Sequence, residues 1–175
     1  MSDQAPDAGE LTYTRVFDAP RELVFRCMIE PEHLARFWGP AGVRTPLASI
    51  KVDPRPGGVF EAVMVNDADG STYPMRAVYR EVVAPERLVW TEPATGVTTT
   101  STFSDLGGAR TEVQIRQANV PAAFRSPQAQ AGFSTSLDRF AAYLGELAPG
   151  EVSAHGGAVV TRSPSRTSPG WTVVP

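Results

Sequence analysis

The order of patterns along the chain predicts an α+β fold: an antiparallel sheet of about seven short strands, two short helices after the first strand, and a long helix near the C-terminal end. Three observations carry this. Between residues 46 and 117, short segments that alternate in the manner of strands are separated by Gly, Pro and Asp turns. Residues 18–38 hold two brief helical patterns divided by Pro31. Residues 126–147 hold a long apolar repeat of helical period.

The first strand is LTYTRVF at residues 11–17. In DAPRELVFRCMIEPEHLARFW, which follows it, Asp18 is placed to cap the first helix, Pro20 suits an early helical position and Glu22 favours the first turn. Leu23, Val24, Cys27 and Met28 share one stripe, which is expected to be buried. Pro31 ends that helix and opens the next, which stops at Gly39-Pro40. Adjacent helical side chains diverge by about 100°, so Phe37 and Trp38 cannot fill one site, and Phe37 is expected in the core.

The remaining strands are PLASIKVD, VFEAVMVN, TYPMRAVYREVV, RLVWTE, VTTTSTFSD and RTEVQIRQ. Alternation assigns their faces. Phe60, Ala62 and Met64 share one face of the third strand, and Met75, Ala77 and Tyr79 face inward on the fourth, because Arg76 and Arg80 seek water. Leu88 and Trp90 share a face, as do Val113 and Ile115. The sixth strand departs from this pattern. Phe103 should face in, yet its partners on that face are Ser101 and Thr99. A buried hydroxyl without a partner costs about 1–3 kcal/mol. These two therefore either meet water at an open edge or stand in a cavity under the helix, for which Ala62 and Ala77 leave space.

The long helix begins with Ser126 as N-cap and repeats Phe133, Leu137, Phe140, Leu144 and Leu147 at intervals of four and three. This divides the chain into a flexible N-terminus (1–9), one folded domain (10–147) and a flexible Pro/Gly/Ser-rich tail (148–175). In the tail, Val159-Val160 and residues 171–174 are the parts with reason to dock.

Composition and motifs exclude several function classes. A net charge of −3 argues against a nucleic-acid partner, which would call for a basic face. The apolar runs are too short to span a bilayer, and the polar, acidic first residues are no secretory signal, so a cytoplasmic location and no membrane partner are expected. His33, His155 and Cys27 have no ligand spacing, so no metal is expected, and no cofactor fingerprint or nucleophile elbow occurs. Cys27 reads as a small core residue. Glu61 with Arg76 and Arg80, and Asp53 with Arg55, read as structural pairs, and no catalytic residue is identified. Glu92, two residues beyond Trp90 on the same face, stands as the ionised group of a cavity mouth.

A strand, two small helices, six more strands and a long helix make a helix-grip order, and the chain resembles the START-like (SRPBCC) superfamily. More narrowly, it looks like homologues of the C-terminal domain of the heat-shock protein 90 ATPase activator. The likeness spans residues 11–147 and rests on FDAPRELVFRCMIEPEHLARFWGP, on Asp53, Arg55, Gly57 and Gly58 of VDPRPGGVF, on YPMRAVYREVVAPERLVWT and on GFSTSLDRFAAYL. Phe133 stands where the family commonly has Trp, and Thr99 and Ser101 where it is commonly aliphatic.

The resemblance implies a curved sheet wrapped on the C-terminal helix, with a hydrophobic ligand held between them. It also puts the two small helices beside the cavity mouth, where Trp38 would line the entrance. The cavity residues expected are Trp38, Phe60, Ala62, Met64, Met75, Ala77, Tyr79, Trp90, Glu92, Thr99, Ser101, Phe133, Leu137 and Phe140. The expected partner is a small hydrophobic or aromatic ligand, and a homodimer is compatible with this reading. Two alternatives are a cyclase- or hydrolase-like enzyme using the same cavity and a chaperone-interacting protein. No chaperone partner is expected, because the activator proper carries a further N-terminal domain.

Overall fold

Alternation in the first described residues becomes strand β1 (Gly9–Phe17), and two short helices follow, α1 (Arg21–Cys27) and α2 (Pro31–Phe37). The structure is a computed structural model describing residues 9–156, with side chains described for 9–147. The chain divides into two units, Met1–Ala141 and Ala142–Pro175, the first holding the sheet and the short helices.

The N-cap of α1 is Pro20, without a side-chain cap, and this corrects the role assigned to Asp18. Asp18 lies too far before the first helical residue to reach its free amides, and its carboxylate instead lies 3.6 Å from Arg110. Leu23, Val24, Cys27 and Met28 are buried, with Phe25 beside them. Pro31 opens α2, where its missing N–H costs nothing. Trp38 leaves the helix with ψ 130°, its own N–H still bonded to the Leu34 carbonyl at 2.9 Å.

Further strands are β2 (Val43–Arg44), β3 (Lys51–Val52), β4 (Val59–Asn66), β5 (Thr72–Val83), β6 (Arg87–Thr91), β7 (Thr98–Gly107) and β8 (Arg110–Val120). All pairings are antiparallel. β4 to β8 form a meander, β1 closes on the free edge of β8, and β2 and β3 both lie against β4. The sheet has eight strands because β2, at Val43–Arg44, joins the seven expected, and the strand expected at residues 46–53 shrinks to β3. Pro46 starts a 3-10 turn at Leu47–Ser49, leaving only two residues to pair as β3. Ser49 Oγ takes over part of the ladder by accepting the Val63 N–H at 3.1 Å.

The turn before β4 uses its two glycines differently. Gly57 has φ +86°, while Gly58 is required by close approach: a Cβ there would sit 2.0 Å from the Asp53 carbonyl oxygen. Asp53 and Arg55 pair across this turn at 2.9 Å, and Glu61 pairs with Arg76 across strands at 3.2 Å. Arg80 does not join the latter pair and donates to Thr91 instead, at 3.3 Å.

Helix α3 (Pro127–Gly156) follows a second 3-10 turn at Ala122–Arg125. Ser126 Oγ caps it, accepting the Ala129 N–H at 3.0 Å. Phe133 meets Tyr13 of β1 at 4.3 Å between ring centroids, and Phe140 meets Phe17 at 4.9 Å. The helix continues past Leu147, where the apolar repeat ends, to Gly156. The Val159-Val160 patch and residues 171–174 lie outside the described residues. No helix among the described residues is long and apolar enough to cross a membrane.

Candidate functional site

Strand register lines up the inward side chains in rungs. One rung runs Tyr79, Trp90, Thr99, Gln117 and Leu11 across β5, β6, β7, β8 and β1. The next runs Leu88, Ser101, Ile115 and Tyr13. Thr99 and Ser101 are 3% and 1% exposed, so neither hydroxyl lies at an open edge.

Between these rungs and residues 129–140 of α3 lies a pocket of about 520 Å³. The helix contributes Ala129, Gly132, Phe133, Ser136, Leu137 and Phe140, which form one stripe at alternate spacings of three and one. The end of α2 contributes Phe37 and Trp38. Phe37 stacks on Phe140 at 4.1 Å and 12°, while Trp38 turns away, its ring 63° from that of Phe37. The loop after Trp38 is tied to α3. Arg139 donates to the carbonyls of Gly39, Pro40 and Val43 at 2.8, 3.0 and 3.1 Å, and Thr135 Oγ1 accepts the Ala41 N–H at 3.0 Å. Gly39, with φ +100°, allows this path, since a Cβ there would lie 2.7 Å from the Val43 side chain.

Of the residues expected from sequence, Trp38, Met64, Met75, Trp90, Glu92, Thr99, Ser101, Phe133, Leu137 and Phe140 border this pocket. Phe60, Ala62, Ala77 and Tyr79 do not, which corrects their assignment. They face inward but are sealed beneath other side chains. Phe60 packs edge-on against Trp38 at 5.0 Å and Trp90 at 5.8 Å, and Tyr79 packs edge-on against Trp90 at 6.2 Å. The two indoles therefore form the wall and hide the rings behind them. Ala77 is paired with Phe60 and Ala62 with Met75, so the space the alanines free goes to larger neighbours.

Sequence reasoning missed Tyr13, Gln117, Gly132 and Ser136 as pocket residues. Gln117 was within reach, lying two residues beyond Ile115 on the same face. Gly132 and Ser136 share the helical stripe of Phe133 and Phe140, but an apolar repeat does not count small or polar members.

Among the described residues, the pocket wall holds no Lys, Arg or His, and Glu92 is its one carboxylate. Burial pushes the Glu92 carboxyl above the usual range, and no described cation pairs with it. Its backbone starts a tight turn, with the Glu92 N–H donating to Val97 O at 2.9 Å and its carbonyl accepting from Gly96 at 2.7 Å. Burial also raises the Tyr13 phenol. The Tyr79 phenol is driven up by burial and then by the charge of Asp53. Gln117 Nε2 donates to Thr99 Oγ1 at 3.4 Å, whereas Trp90 Nε1 and Ser101 Oγ have no partner among the described residues. Among the described residues neither His nor Cys borders the pocket, so no described imidazole or thiolate stands beside the Ser101 or Ser136 hydroxyl. Among the described residues no cluster of His, Cys, Asp and Glu could hold a metal ion.

An antiparallel sheet, two short helices after its first strand and a long C-terminal helix define the helix-grip class of the START-like (SRPBCC) superfamily. Residues 18–145 match the family described as Activator of Hsp90 ATPase homolog 1-like protein, and the chain belongs to that family. Among solved structures, a protein from Chromobacterium violaceum is 28% identical, with 76% of this chain and 95% of that one covered at a TM-score of 0.68. One from Nitrosomonas europaea is 24% identical over 79% and 95% of the two chains, also at 0.68. The AHSA1-like protein from Aeromonas hydrophila is 22% identical over 78% and 92%, again at 0.68, a likeness of fold. No curated protein matches the chain.

Proposed function

We propose that this protein binds a small, largely apolar ligand between its sheet and α3. The observation that carries this reading is the pocket wall. Tyr13, Phe37, Trp38, Trp90, Phe133 and Phe140 surround about 520 Å³ with few polar atoms among them. Small-molecule sites typically have about 300–1,000 Å³ and this kind of lining. A ligand hiding about 300 Å² of apolar surface would gain about 7 kcal/mol gross, part of which is lost to immobilisation.

The test is fluorescence titration with Nile red, an uncharged polarity-sensitive dye. Wild type should bind it saturably. Gly132→Trp should bind it at least about tenfold more weakly, because burying a ring in the pocket removes the space the dye needs. A Cβ at Gly132 meets nothing nearer than Pro40 at 4.0 Å, so the helix accepts a side chain there, and circular dichroism and the melting temperature check that the variant is folded. Dye binding that is absent in wild type, or equal in the two proteins, would rule the pocket out.

A further inference from the structure

Trp90 and Ser101 both border the pocket, and each carries a buried polar atom without a hydrogen-bond partner among the described residues. The residues are 4% and 1% exposed. An indole N–H can only donate, and a hydroxyl left unpaired in apolar surroundings is unfavourable. Native interiors leave few such groups, and two in one wall call for a common explanation. Trp90 pairs with Thr99 and Leu88 with Ser101, so Trp90 and Ser101 are diagonal neighbours on one face. Their neighbour Thr99 is already engaged by Gln117 at 3.4 Å. Among the described residues, the same wall holds Glu92 and no cationic side chain.

Resting on the reading of the pocket as a ligand site, we infer that it selects an uncharged ligand whose apolar body carries a hydrogen-bond acceptor, of the ketone or amide type. Trp90 N–H and Ser101 O–H donate to that acceptor, and Glu92 turns carboxylates away. A hydrocarbon would leave both donors unmade. An anion would meet Glu92 with no compensating charge in the wall, where low polarity strengthens the repulsion.

The experiment is displacement of bound Nile red by three diphenyl compounds of similar size: benzophenone, diphenylmethane and diphenylacetate. The quantity read is the affinity ratio of ketone to hydrocarbon. That ratio should fall about five- to tenfold in Ser101→Ala and in Trp90→Phe, the loss of one hydrogen bond each. Diphenylacetate should displace the dye at least about tenfold less well than benzophenone, and Glu92→Gln should narrow that gap. An unchanged ratio in both variants overturns the acceptor assignment, and a fall in one only overturns the other residue's part. If Trp90→Phe does not fold, Ser101→Ala decides alone. Diphenylacetate binding as well as benzophenone and indifferent to Glu92→Gln overturns the charge selection. In all these outcomes the dye still binds, so the pocket reading stands. Failure of Nile red to bind wild type would remove that reading itself.

Discussion

On β4 and β5, Phe60, Ala62, Ala77 and Tyr79 face inward and are sealed, whereas on β7 and β8 Thr99, Ser101 and Gln117 face inward and border a pocket. Both regions follow the same alternation. They differ in what lies above them. Over the first stand the indoles of Trp38 and Trp90, packed edge-on against Phe60. Over the second pass Ala129, Gly132 and Ser136 of α3, whose short side chains leave volume. An inward side chain is thus part of a site only where its cover is small.

The largest effect should come from the sealed region. Phe60→Ala should cost about 3–5 kcal/mol in urea unfolding, since a fully buried ring leaves a cavity that its surroundings cannot close. Phe133→Ala, a half-buried wall residue, should cost about 1–2 kcal/mol by area. Equal losses would break the distinction between sealed core and pocket wall.

A smaller effect separates a satisfied hydroxyl from an unsatisfied one. Thr111 is buried and donates to the Ala19 carbonyl at 2.7 Å, so Thr111→Val should cost about 1–2 kcal/mol. Ser101→Ala should be neutral or stabilising by up to about 1 kcal/mol, because it removes a buried hydroxyl that lacks a protein partner. If both substitutions cost the same, Ser101 is bonded within the protein and the polar face of the pocket is complete without a ligand.

The smallest effect is expected at Glu92. Burial raises its folded-state pKa above the unfolded value, so the folded chain holds this proton more firmly. The stability it confers is fully present below the unfolded pKa and is lost as pH rises through the folded one. Glu92→Gln should therefore melt above wild type at about pH 7 and close that gap at about pH 3, where the carboxyl is protonated in both states. A gap that is constant with pH would mean that Glu92 is solvated and not part of a low-polarity wall.

Much of this was legible in the sequence, for local reasons. Period-two alternation placed Met64, Met75, Trp90, Thr99 and Ser101 on inward faces, because successive strand side chains point to opposite sides whatever lies beyond them. The spacing of Phe133, Leu137 and Phe140 put one stripe of α3 toward the sheet in the same way. Ser126 and Pro31 marked helix starts, since a cap and a missing N–H act within one turn. Where a neighbour outside the segment intervened, the same reasoning failed. Pro46 and Ser49 turned an expected strand into a 3-10 turn whose hydroxyl serves Val63, and Asp18 found Arg110 instead of a helix end.

The sequence by itself determined the two short helices, the meander of β4 to β8, the long helix, the faces of these strands and the family to which the chain belongs, all consequences of local periodicity and linked motifs. The tertiary structure alone decided which inward residues are sealed and which border the pocket. That outcome depends on contacts between distant segments: Trp38 over Phe60, Arg139 on the Gly39 and Pro40 carbonyls, and Gly132 opposite Pro40. No periodicity within a segment encodes the height of the side chains that another segment lays across it.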